Sequence, residues 1–183
     1  MRILIALVVT LIFAGAAPAA ELAGVNVEPS VSINDNVLKL NGSGIRKKFL
    51  IKIYIGSLYA SKRLNSAAEA LRDNGDKLIR VNFLHDVDKG KVTEGFRIGL
   101  TNNAPDLADS TEAKKFLAFF SSDFKRGDSV DLFLGGNGTV LVKHNGKVLG
   151  TLSSQRLALG ILSIYLGDKP ADEALKKGML GKV

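Results

Sequence analysis

The chain has 183 residues and no cysteine, and it carries 25 lysines and arginines against 18 aspartates and glutamates. Without cysteine it can hold no disulfide, no thiol nucleophile and no lipid-modified cysteine. The basic residues are interspersed, and no aromatics interleave the densest clusters, Arg46-Lys47-Lys48 and Lys176-Lys177; that argues against nucleic-acid binding and leaves weak attraction to anionic lipid or an anionic ligand open.

Met1-Arg2 precedes an almost wholly apolar run, Ile3 to Phe13, which gives way to small residues and a proline through Ala20. This is the pattern of a secretory signal peptide, and the run is too short to span a membrane. Ala17-Pro18-Ala19 fits small-x-small cleavage, so residues 1–19 are expected to be removed. An uncleaved anchor is the alternative. One domain over residues 20–183 is then expected, in a periplasmic or secreted location without stable membrane insertion.

Val25 to Pro29 and Val37 to Leu40 read as short strands around the turn-rich Asn34-Asp35-Asn36. A long strand is expected over Phe49 to Tyr59, its odd positions packing a core. Ser66 to Arg72 reads as a short helix stopped at Asn74-Gly75, and Leu78 to Leu84 as a strand. Asp88 is placed to cap a helix bearing Val92, Phe96 and Leu100 at four-residue spacing. Gly95 and Gly99 on that helix suggest close approach of something to its backbone, either a ligand or the sheet. Asp109-Ser110-Thr111-Glu112 opens a helix whose Phe116, Phe119, Phe120 and Phe124 form an aromatic face, read first as core although a fatty or aromatic ligand could sit against it.

Asp128 to Leu134, Thr139 to His144 and Lys147 to Leu152 read as successive strands, the last two joined by an Asn145-Gly146 type I′ turn. Gly135-Gly136-Asn137-Gly138 lacks the ending and the following helix of a phosphate loop and reads as a plain turn. Ser153 or Ser154 caps a helix over Gln155 to Leu166 that is apolar nearly all round and must be buried. A last amphipathic helix is expected over Ala171 to Met179. Hairpins mixed with helices argue α+β architecture, an antiparallel sheet covered on one face by helices.

Familiar enzymatic constellations are missing. His85 and His144 begin no metal-ligand spacing, His144 is expected at a solvent-facing hairpin end, and no Gly-x-Ser-x-Gly elbow or paired carboxylates occur. No metal or redox cofactor is implied.

Leu40-Asn41-Gly42-Ser43-Gly44-Ile45-Arg46, followed by Lys52-Ile53-Tyr54-Ile55-Gly56-Ser57-Leu58-Tyr59, resembles the opening signature of the chalcone isomerase-like family. Phe83-Leu84-His85-Asp86-Val87 with Lys91 to Phe96, the segment Phe124 to Leu134 with its hairpin, and Leu162 to Pro170 agree with it in order. The resemblance implies an open-faced β-sandwich, a large antiparallel sheet under a helical layer with a ligand cleft between them. Some members of that family isomerise chalcones and others bind fatty acids, and both use the arginine matching Arg46, whose planar fork can clamp a carboxylate or hold a phenolate. A surface or sheet-edge arginine is the plainer reading of Arg46.

The enzymes' other polar positions fall here on Ile53, Asp88, Gly95 and Ile164, a correspondence that slips by one residue if Tyr54 or Ser163 is meant. Apolar residues there remove donors that would position a water on a substrate ketone. The expectation is therefore a protein that binds a fatty or aromatic acid and lacks chalcone isomerase activity, with Arg46 as anion clamp and Ile53, Phe96, Leu100 and Ile164 as apolar wall. An isomerase (intramolecular lyase) relying on Arg46 is the alternative, and an adaptor with a self-filled cleft is a third reading.

Overall fold

Seven strands follow one another in a single antiparallel meander, each hydrogen-bonded to the next in sequence. They are β3 (Ser30–Ile33), β4 (Asn36–Lys48), β5 (Ile51–Ala60), β6 (Lys77–Phe83), β7 (Ser129–Leu134), β8 (Thr139–His144) and β9 (Lys147–Ser153). A separate hairpin, β1 (Ala20–Leu22) with β2 (Val25–Val27), precedes them. The computed structural model describes residues 20–33 and 36–182; the expected signal peptide and residues 34 and 35 of the expected turn lie outside that range.

The helices are α1 (Ala67–Arg72), α2 (Lys89–Asn103), α3 (Pro105–Ala108), α4 (Thr111–Ala118), α5 (Gln155–Leu166) and α6 (Glu173–Met179). Ser66, Asp88, Ser110, Ser154 and Asp172 each cap a helix by accepting a backbone N–H, which is why these helices start where they do. The largest apolar core lies between the sheet and the helices, and α5 supplies Leu157, Ile161, Leu162, Ile164, Tyr165 and Leu166 to it. The chain thus has the expected α+β architecture, a curled seven-stranded sheet with a helical layer.

Irregular pairing in β4–β5 sets the curl. Asn41 is an extra residue on β4 between the pairs Leu40↔Tyr59 and Gly42↔Leu58. Its buried amide donates to the carbonyls of Leu64 and Met179 and accepts from the Leu64 N–H, tying the strand to the α6 end. Beyond it, Gly42 and Gly44 share one face with Gly56, and a Cβ on Gly44 would stand 2.7 Å from the Leu175 carbonyl oxygen of α6. Glycine is needed here for the helix to lie directly on the sheet backbone.

Several expectations are corrected. β4 runs thirteen residues where only Val37 to Leu40 is expected, because glycine and charge conceal its alternation. Phe49 and Leu50 form the turn, and β5 begins at Ile51. On β5 the even positions Tyr54, Leu58 and Ala60 face the helices, whereas Tyr59 packs beneath the sheet with Leu38, Leu78 and Phe133. The aromatic helix ends at Ala118; Phe124 instead bridges Val87 through the backbone. His144 is largely buried against Phe124, ring centroids 4.9 Å apart, with Nε2 2.9 Å from Asp128. The Asn145-Gly146 turn has both residues at positive φ, as expected.

Candidate functional site

A cavity of about 70 Å³ lies between β4 to β7 on one side and α2 and α5 on the other. Its sheet wall is Ile53, Tyr54, Val81, Phe83 and Val130, and its helical wall is Val92, Gly95, Phe96 and Ile164. Phe120 adds to the apolar surface. Arg46, Tyr54, Lys91 and Tyr165 bring the polar atoms.

Three features of local structure create this arrangement. Gly42, Gly44 and Arg46 alternate on one face of β4, so where the glycines let α6 lie flat, Arg46 comes next along the same face and reaches the cavity. Arg46 pairs with Tyr54 while Lys47 pairs with Lys52, which leaves Ile53 as a bulge residue. That bulge lets two consecutive residues, Ile53 and Tyr54, line one cavity, which regular alternation forbids. On α2, a Cβ on Gly95 would meet no atom within 4 Å, whereas one on Gly99 would stand 2.7 Å from Ile164 Cγ2. Gly95 therefore leaves room for a ligand, and Gly99 lets α5 approach.

The cavity is apolar with a cationic mouth. The Arg46 guanidinium sits 5.5 Å from the centroid of the Tyr54 ring. None of the ion pairs among the described residues includes Arg46 or Lys91. Burial raises the pKa of the Tyr54 hydroxyl against the pull of Arg46, and it raises that of Tyr165 well above the ordinary value. Both tyrosines thus keep their protons at neutral pH and can donate to an anion. Phe96 stacks on Phe120 at 4.9 Å and meets Phe116 edge-on at 5.0 Å, which backs the apolar wall with a rigid aromatic layer.

Of the residues singled out from sequence, Arg46, Ile53, Phe96 and Ile164 lie together on the cavity. Leu100 does not. It is one helical turn deeper on α2, fully buried, and faces Gly160 of α5. Asp88 caps α2 by accepting from the Gly90 N–H, and only Gly95 among the remaining aligned positions also lines the cavity. Sequence reasoning missed Phe83, Lys91 and Tyr165, and it named Tyr54 only as the alternative to Ile53, whereas both line the cavity. A tyrosine in an otherwise apolar helix was the available signal for Tyr165, since a buried hydroxyl seeks a partner. Among the described residues no group of three or more His, Cys, Asp or Glu could hold a metal ion, and no helix is long and apolar enough to cross a membrane.

A family model described as chalcone isomerase-like matches residues 19–181. No curated protein matches the chain. Among solved structures, the chain is similar to a fatty-acid binding protein of Arabidopsis thaliana, with a TM-score of 0.67 and 21% identity over 86% of this chain and 92% of that one. At that identity the likeness speaks to the fold.

Proposed function

The chain belongs to the chalcone isomerase-like family, and from that premise we propose that it binds a small apolar carboxylic acid, fatty or aromatic, in the cleft between sheet and helices. The observation that carries this reading is an arginine that forms no ion pair among the described residues, at the mouth of an otherwise apolar cavity. Arg46 meets the carboxylate with its planar fork, the protonated Tyr54 and Tyr165 donate hydrogen bonds beside it, and the tail lies against Ile53, Phe96, Phe120 and Ile164. The fatty-acid binding protein of similar fold supports the reading.

Calorimetry with a fatty acid and its methyl ester tests it. Arg46→Ala loses about 2 kcal/mol or more of affinity for the acid, as expected for truncating one partner of a charge pair. Arg46→Lys recovers part of the loss, because the ammonium keeps the charge without the fork. The ester binds weakly to all three proteins. Equal affinity of wild type and Arg46→Ala for the acid removes Arg46 from the site.

Tyr54 and Tyr165 also favour a second reading, since their hydroxyls beside Arg46 could hold the ketone and phenolate of a chalcone during cyclisation. The first reading expects chalcone absorbance to decay at the uncatalysed rate and the product to be racemic. Rapid turnover with one enantiomer dominating establishes the second. The same proposal takes the chain as exported, with the mature protein beginning near Ala20. N-terminal sequencing of protein from the producing cell checks this, and an intact Met1 in the cytoplasmic fraction contradicts it.

A further inference from the structure

The β4–β5 hairpin projects past the neighbouring strand. Tyr54 of β5 pairs with Phe83, the last residue of β6, and the Ile53 carbonyl accepts from the Leu84 N–H, so residues 51–52 and the turn extend beyond that pairing by about 7 Å at ~3.3 Å per residue. At the tip Phe49 is 90% and Leu50 96% exposed, while the other exposed large apolar side chains among the described residues are at most 59% exposed. Phe49 has a φ of 56°, a conformation that favours glycine or asparagine, and the equivalent place in the β8–β9 turn is held by Asn145. A bulky aromatic thus stands where the backbone would be easier to build without it. Lys47, Lys48 and Lys52 flank the tip, are exposed, and take part in no ion pair among the described residues. Arg46 and Ile53, immediately inside those lysines, line the cleft.

We propose that this tip docks on an anionic lipid surface, with Phe49 and Leu50 entering the boundary between headgroups and acyl chains and the three lysines meeting anionic headgroups. Two apolar side chains on a narrow ribbon are far less than the roughly 800 Å² per partner of a stable protein interface. Lipid needs no matching shape, and it rewards an apolar tip ringed by cations. Docked in this way, the mouth of the cleft faces the bilayer, and a lipid-derived acid can pass between membrane and cavity without crossing water. That consequence rests on the proposed acid binding; the docking itself does not.

Sedimentation with phosphatidylcholine vesicles, with and without phosphatidylglycerol, tests the docking with no acid added. Wild type should bind the anionic vesicles, release as salt rises, and bind neutral vesicles weakly. The Phe49→Ser/Leu50→Ser protein and the Lys47→Glu/Lys48→Glu/Lys52→Glu protein should each bind anionic vesicles at least tenfold more weakly. All share one N-terminus, so the differences isolate the tip. The serine variant should keep the wild-type affinity for dissolved acid, so a failure of docking is separable from a failure of the cleft. Equal vesicle binding by wild type and variants overturns the proposal, as does absence of wild-type binding. A wild-type dimer that becomes monomeric in the serine variant and ignores vesicles also overturns it, and makes the tip a contact with a second copy.

Discussion

Gly95 and Gly99 have the same residue type, helix and face, yet opposite consequences. The space beside Gly95 is open, so Gly95→Ala gains helix propensity, about 0.5–1 kcal/mol of stability measured by denaturant unfolding. Gly99→Ala drives a methyl into Ile164 and should cost about 1–3 kcal/mol despite the same propensity gain. A larger residue at the open position discriminates function from folding. Gly95→Leu projects into the cavity and should abolish acid binding by calorimetry while the protein still unfolds cooperatively; retained affinity would place the ligand elsewhere.

Among the elements, α6 and α1 are held to the sheet by different means. α6 rests on backbone, so Gly44→Ala has no flexible side chain to displace and must lift the helix from β4, at a cost of about 3 kcal/mol. Arg46 lies two residues along that face, so weaker acid binding should accompany the lost stability. The end of α1 is joined to β6 by charge. Buried Lys77 donates to the Asp73 and Gly75 carbonyls and to the Asp73 carboxylate, and Lys62 lies 2.8 Å from the other carboxylate oxygen. Hydrogen bonds from Lys62 and then Lys77 lower the Asp73 pKa to about 2. A carboxylate depressed in the folded state stabilises it above the ordinary aspartate pKa, near 4, and that contribution fades as pH falls through about 2. The melting temperature should therefore drop between pH 4 and pH 2. Asp73→Asn should be less stable at pH 7, because Lys77 loses its counter-charge, and should show a shallower acid slope.

For the whole molecule, the proposed acid binding makes the space between sheet and helices the limit on ligand size. Phe96 and Phe120 line the cavity of about 70 Å³ and Phe116 packs behind them, so on the proposed acid-binding reading the space holds a head group and a short stretch of tail. Across a series of straight-chain acids, affinity should rise by about 0.8 kcal/mol per methylene until the cavity is full and then level off. A rise continuing to long chains would mean that the aromatic layer moves aside. Calorimetry over the series separates the two outcomes.

Short-range chemistry made much of this legible in the sequence. The caps at Asp88, Ser110 and Ser154, the Asn145-Gly146 turn and the all-round apolar α5 each depend on residues a few positions apart. The spacing of Gly42, Gly44 and Arg46, with later motifs in matching order, pointed to the family, although glycine and charge hid the strand that carries them. Other features depend on pairing between distant segments. The bulge that brings Ile53 and Tyr54 to one wall exists only in the register of β4 with β5. The one helical turn that puts Phe96 on the cavity and Leu100 in the core depends on where α5 crosses α2. Sequence determined most of the helices and hairpins and which segments are apolar enough to be buried, because capping, turn formation and hydrophobic periodicity are local. Tertiary structure alone decided which of those inward residues meet in a cavity, because strand register and helix contact bring together atoms from segments far apart in the chain.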